Sequence, residues 1–174
     1  MLRTREPGGA PGAEFLRGVL LSGTIAWSAA AETLLHFAAR AEHVERSIRP
    51  ALAAGMWVVC DRFVDSTMAY QGFGLGADRA MIATLSGLIG IVPDLTLVLD
   101  ADILVARRRM AGRGNTPDRY ERLDEDFHIR IRTGFQAIAA ENPKRCVTVD
   151  ANGSIETVHA GIVSAMNARF PEIA

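Results

Sequence analysis

Three observations predict an α/β fold for this chain. Short apolar runs rich in β-branched residues alternate with segments of helical spacing along the whole sequence. The strand candidates are continuous apolar runs, as strands covered on both faces of a parallel sheet require. Each of them ends in an aspartate, and the carboxyl ends of strands are where open parallel sheets present a ligand crevice. With 174 residues, 49% hydrophobic and 22% charged, one domain spanning residues 1–174 is expected to have a sizeable core.

Taken in order, Leu34, Ala38, Ala41, Val44 and Ile48 form one apolar stripe of a long helix, whose last turns Pro50 is expected to bend. Trp57–Cys60 after Gly55 is the first strand candidate, closing on Asp61. Asp78 is placed to cap a helix carrying Ile82, Leu85 and Ile89. Leu95–Leu99 is the second strand, closing on Asp100, and Asp102 is placed to cap a helix with Leu104 and Val105. Phe127, Ile131, Phe135 and Ile138 make another helical stripe. Cys146–Val149 is the third strand, closing on Asp150, and Ser154 precedes a terminal helix with Ile155, Val158, Ile162 and Met166. The apolar residues of these stripes are expected in the core.

Nineteen basic against twenty acidic residues leave a net charge of −1, so no general field favours a nucleic-acid backbone. Any anion site must be local. Cys60 and Cys146 are too few and too far apart for a disulfide framework, which points to a reducing, cytoplasmic setting. The longest apolar stretch, Met81 to Val92, is too short and interrupted to span a bilayer, and the opening residues have no secretory character. No Cys/His spacing suits zinc and no Gly-x-Ser-x-Gly elbow is present.

Three clusters carry candidate chemistry. Asp61 to Gly76 follows a strand directly and gathers an acid, a guanidinium, hydroxyls, a phenol and an amide. Arg62 can fork onto a phosphate and Asp61 can hold a divalent metal, the plainer alternative being an ion pair beside a glycine-rich turn. On the long helix, His36, Arg40 and His43 share a face, with Phe37 beside them. A guanidinium and a ring there can read a flat heterocycle, or the face is simply solvated. Finally, Arg107, Arg108, Arg109, Arg113 and Arg119 surround a Gly/Asn/Pro loop between two helices. Such a segment, about 107–123, can close over polyphosphate as a lid, although surface helices often carry arginines.

Taken together, these motifs make the sequence similar to bacterial thymidylate kinases. The resemblance runs through Thr4-Arg5-Glu6-Pro7-Gly8-Gly9, Phe37-Ala38-Ala39-Arg40, Ile48-Arg49-Pro50-Ala51-Leu52, Asp61-Arg62-Phe63, Ser66 to Gly72, Pro93 to Leu97, the arginine loop and Asp150-Ala151. It implies a P-loop kinase-like, three-layer α/β/α architecture and transfer of the γ-phosphoryl of ATP, with Mg2+, to thymidine monophosphate (dTMP), giving dTDP for dTTP synthesis. By the resemblance, Arg5 and Arg62 hold the acceptor phosphate, Arg40 bonds a thymine carbonyl, and Thr67 and Gln71 read the base edge. Tyr70 blocks a ribose 2′-hydroxyl, and His36 or Phe37 stacks on the base. Arg109, Asp150 and Ala151 lie at the adenine, Arg113 and Arg119 approach the transferring phosphate, and Asp61 supports the metal. A homodimer through small apolar helix faces such as Ala38, Ala41 and Ala53 is implied as well.

The family's stacking phenylalanine falls on His36, and Phe37 is shifted by one. No Gly-x-x-x-x-Gly-Lys-[Ser/Thr] occurs in the sequence, so the first strand, P-loop and first helix are expected to be missing, through a misplaced start, a truncation or a loss of catalysis, with the first favoured. The alternative readings are a kinase for another nucleoside monophosphate and a nucleotide-binding module without turnover. Arg40 opposes the first, because a donor there faces the amino group of cytosine or adenine unfavourably.

Overall fold

In the computed structural model, residues 1–112, 114 and 119–173 are described. The chain begins with strand β1 (Leu2–Arg5), then α1 (Pro11–Leu21), started by a proline in its first turn, and α2 (Ala29–His43), capped by Ser28. A π-helical turn over Val44–Ile48 leads into α3 (Arg49–Ala53). Pro50 has no N–H and its ring crowds the carbonyl four residues back, so the widened turn is the form the predicted bend takes.

Strand β2 (Val58–Asp61) follows, then α4 (Val64–Thr67) running on as a π-helical segment, Met68–Gly74. The glycine-rich turn, the plainer alternative after Asp61, is therefore helical through Gly74. Next come α5 (Arg79–Ile89), capped by Asp78, β3 (Thr96–Asp100) and α6 (Ile103–Gly112). The chain closes with α7 (Glu125–Glu141), β4 (Cys146–Asp150), α8 (Ile155–Arg169) capped by Ser154, and a 3-10 turn at Pro171–Ile173.

All strand pairing is parallel, but the single sheet expected from the sequence is two pairs, β1 with β2 and β3 with β4. No described strand hydrogen-bonds to both β2 and β3. The Asp65 carboxylate bridges the halves, taking two bonds from Arg145 at 2.6 and 2.7 Å and one from Thr96 at the start of β3. The principal apolar cluster joins α7 to the 68–74 segment through Phe127, Ile131, Ile138, Ala69, Tyr120 and Cys146. That crossing is close because two glycines meet it. A Cβ on Gly74 would stand 2.6 Å from Phe127, and one on Gly134 2.8 Å from Phe73.

The α7 stripe is buried as predicted at Phe127, Ile131 and Ile138, and Ile82 is fully buried on α5. Other stripes are not. Leu34, Ala38 and Ala41 are exposed on α2, Leu104 on α6, and α8 has no buried residue, with Ile155 84% exposed. Val59 and Leu99, predicted as covered strand residues, are both about half exposed. α8 lies mainly on β4, which leaves Val158, Ile162 and Met166 half-buried and Ile155 outside, so apolar periodicity marks a face without supplying its full cover.

Candidate functional site

The inward face of α2 is polar. Glu32, Thr33, His36, Arg40 and His43 are all buried, together with Phe37 and Val44. The helix thus turns Leu34, Ala38 and Ala41 of the apolar stripe outward, burying the stripe only from Val44 and Ile48 on, and buries the face that reads ionisable. Such burial is tolerated only with partners, and the partners come from β1, α4 and the segment after residue 118.

Two networks result. In the first, the Glu6 carboxylate at the end of β1 accepts from Arg40 Nε at 2.7 Å and pairs with His43 Nδ1 at 3.1 Å. The His43 Nε2 lies 2.7 Å from the Thr4 hydroxyl. Arg40 Nη2 donates to Thr67 Oγ1 at 2.9 Å, and its guanidinium lies over the rings of Phe37 and Phe63. The remaining nitrogen, Nη1, is buried with no partner among the described residues. In the second network Glu32, fully buried, accepts from Gln71 Nε2, from the Tyr120 hydroxyl at 2.7 Å and from Arg119. The Tyr120 hydroxyl is also 3.0 Å from His36 Nε2 and 3.1 Å from Gln71.

Between the networks lies a cavity of about 290 Å3, bordered by Glu6, His36, Arg40, Arg62, Phe63, Thr67, Tyr70, Gln71, Tyr120 and His128, among others. Arg62 enters it from a left-handed backbone, φ 67°, a conformation that a non-glycine side chain adopts only where its surroundings enforce it. Its guanidinium lies 4.7 Å from the centre of the Tyr70 ring. Burial, and then the charges of Arg40, Arg119 and Arg62, push His36 down to about 3, so its imidazole is neutral at physiological pH. Cys60 goes the other way, raised to about 12 chiefly by burial, and its thiol donates to the Arg62 carbonyl. It is no nucleophile.

Of the residues singled out from the sequence, His36, Arg40, Arg62, Thr67, Tyr70 and Gln71 come together in this cavity. Phe37 does not border it; it packs with Ala77 and Ile82. Arg5 points to Glu14 at 3.4 Å with about half its side chain exposed. Asp61 is exposed at the end of β2. Arg109 donates to the carbonyls of Ala151 and Gly153, both at 2.6 Å, which gathers Arg109, Asp150 and Ala151 into a second locus beyond β4. Asp100, the other strand-ending acid, is gripped by Arg132 at 2.7 and 3.0 Å, which holds its carboxyl below the usual range. Arg119 sits on Glu32, and Arg113 lies outside the described residues.

The sequence reading gives no role to Glu6, Glu32 or Tyr120, and His43, placed on the candidate base-reading face, turns instead to Glu6 and Thr4. A signal was available: Glu32, His36 and Arg40 recur every four residues, which places an acid, a ring and a base on one helical face. Among the described residues no group of three or more His, Cys, Asp or Glu could hold a metal, and no helix is long and apolar enough to cross a membrane.

Comparisons with known proteins point one way. A family model described as thymidylate kinase matches residues 1–162. The thymidylate kinase of Rhizorhabdus wittichii is 47% identical over 98% of this chain and 84% of its own length. That of Chromohalobacter salexigens is 48% identical over 98% of this chain and 82% of its own. The crystal structure of thymidylate kinase from Ehrlichia chaffeensis superposes with a TM-score of 0.76 at 33% identity, covering 95% of this chain and 79% of that one. The expected loss of a first strand, P-loop and first helix draws no support from these alignments, which run nearly the length of this chain.

Proposed function

Because the chain belongs to the thymidylate kinase family, we propose that the cavity between α2 and α4 binds dTMP for phosphorylation by ATP. The observation that carries this reading is Arg40 Nη1, a charged donor buried without a partner beside a nucleotide-sized cavity. A buried donor of this kind is costly unless something accepts from it. Thymine O4 does so; the exocyclic amino group of cytosine does not. Glu6 and Thr67 hold the other two guanidinium nitrogens, so the free one is fixed before the ligand arrives.

Arg62, which borders the same cavity, binds the acceptor phosphate, and Tyr70, whose ring it overlies, closes the space a ribose 2′-hydroxyl requires. Thr67 and Gln71 line the base edge. Arg5 joins the phosphate only by leaving Glu14. ATP places its adenine at the Arg109–Ala151 locus, and residues 107–123 act as a lid in which Arg113 and Arg119 meet the transferring phosphoryl group. Arg119 must first release Glu32. Asp61 fits Mg2+: its exposed carboxylate is a hard oxygen ligand, and magnesium beside nucleotides takes one or two carboxylates with the remainder from phosphate and water. When bound, the ion offsets charge on the transferring group.

Isothermal titration of dTMP and dCMP tests the acceptor site. dTMP is expected to bind better, and Arg40→Lys, which keeps a charge beside Glu6 but loses the fork, should weaken dTMP by roughly ten- to a hundred-fold. Equal affinity in the variant and the parent overturns the assignment. Turnover is a separate proposal. The 174 residues contain no Gly-x-x-x-x-Gly-Lys-[Ser/Thr] to cradle the β- and γ-phosphates, so a coupled assay on these residues is expected to show no ADP release while the titration still shows dTMP bound. We assign the exposed α2 stripe, Leu34, Ala38 and Ala41, to pairing with a second copy.

A further inference from the structure

The base cavity holds one ionisable ring whose tautomer its surroundings decide. Tyr120 has a single hydroxyl proton, and it goes to the fully buried Glu32 carboxylate, an acceptor only, at 2.7 Å. The same oxygen must then accept from its other neighbours, Gln71 Nε2 at 3.1 Å and His36 Nε2 at 3.0 Å. His36 therefore carries its proton on Nε2. With burial and three nearby arginines keeping the ring neutral, Nδ1 is left as a bare acceptor. No described residue donates to it, and His36 borders the cavity one helical turn before Arg40.

We propose that His36 Nδ1 is a specificity-determining acceptor that takes the ring N–H of an imide base, beside the Arg40 donor that meets the adjacent carbonyl. The inference rests on the cavity being the acceptor-nucleotide site. Donor and acceptor side by side match the carbonyl and N–H edge of thymine. Cytosine presents an amino group and a bare nitrogen there, so both contacts turn repulsive. Phe63 and Tyr70 also border the cavity, so His36 is not its sole aromatic ring. Glu32, Gln71 and Tyr120 act through His36: they are positioning residues that fix which nitrogen faces the ligand.

The test pairs two substitutions with two ligands in the full chain. In His36→Phe, which improves stacking and removes the acceptor, the preference for dTMP over dCMP should fall about tenfold. In His36→Asn the amide oxygen takes the place of Nδ1 without a ring, and the preference should stay within about threefold of the parent. A ring that only stacks predicts the reverse order, and that order overturns the proposal. Should either variant fail to fold, 15N NMR of the unaltered protein decides. The His36 Nδ1 resonance should report a bare nitrogen that shifts on saturation with dTMP and not with dCMP, and no shift with dTMP overturns the inference. Binding of dTMP that depends on Arg40 but not on the residue at 36 removes this inference alone, whereas no binding of dTMP by the parent removes the site assignment with it.

Discussion

At the residue scale, His36 makes the acid limb of stability readable. Its ordinary value is 6.5 and the folded protein lowers it to about 3, so below pH 6.5 the unfolded chain takes up a proton that the native one refuses. Stability from this group is complete above pH 6.5 and is lost as the pH falls towards 3, with a limiting slope of about 1.4 kcal/mol per pH unit. Urea denaturation at pH 7, 6 and 5 is expected to show that loss, and His36→Phe to flatten it relative to the parent. An unchanged slope would mean that the ring is solvated. Arg40 belongs to the same scale: a charge nearly out of water, held by one carboxylate and one hydroxyl, with one nitrogen unpartnered among the described residues.

At the scale of the element, α2 is where reading and structure part. Its apolar stripe predicts that Leu34 faces the core, and its polar positions read as either ligand-binding or solvated. In the folded chain Leu34 is half exposed and Glu32 is completely buried. Glu32→Ala strands Arg119, Tyr120 and Gln71 and is expected to cost about 3–5 kcal/mol, whereas Leu34→Ala should cost no more than about 0.5 kcal/mol in the isolated subunit. Chemical denaturation of the two variants checks the inversion. Where one face was both apolar and covered, as at Phe127, Ile131 and Ile138 on α7, the sequence was legible, and so were the cap at Asp78, the helix after Ser154 and the parallel strands near 58, 96 and 146. Those signals are local. The two buried networks were not legible because they close over sequence separations of 27 to 88 residues, and nothing along the chain announces that Glu32 and Tyr120 meet. Six of the candidate site residues nonetheless converge, since the strand end at Asp61 and the helix face of Arg40 were each correctly placed by local pattern.

For the whole molecule, the division into two strand pairs has a consequence for association. Parallel strands are ordinarily covered on both faces, yet here Val59 and Leu99 are each about half exposed, and among the described residues no third strand pairs with either edge of the two pairs. Exposed strands recruit other strands without a fixed stoichiometry, whereas a helix stripe that pairs with itself about a two-fold axis, as proposed for the exposed Leu34, Ala38 and Ala41, stops at the dimer. The two surfaces therefore predict two kinds of self-association, separable by substitution. In sedimentation velocity across a concentration series, Val59→Lys is expected to remove species larger than the dimer, because a charge on the open β2 face must be desolvated for another strand to cover it. Leu34→Glu is expected to shift the remaining dimer to monomer and leave the larger species. If Leu34→Glu abolishes both, the strands are not the adhesive surface, and association proceeds through α2 alone.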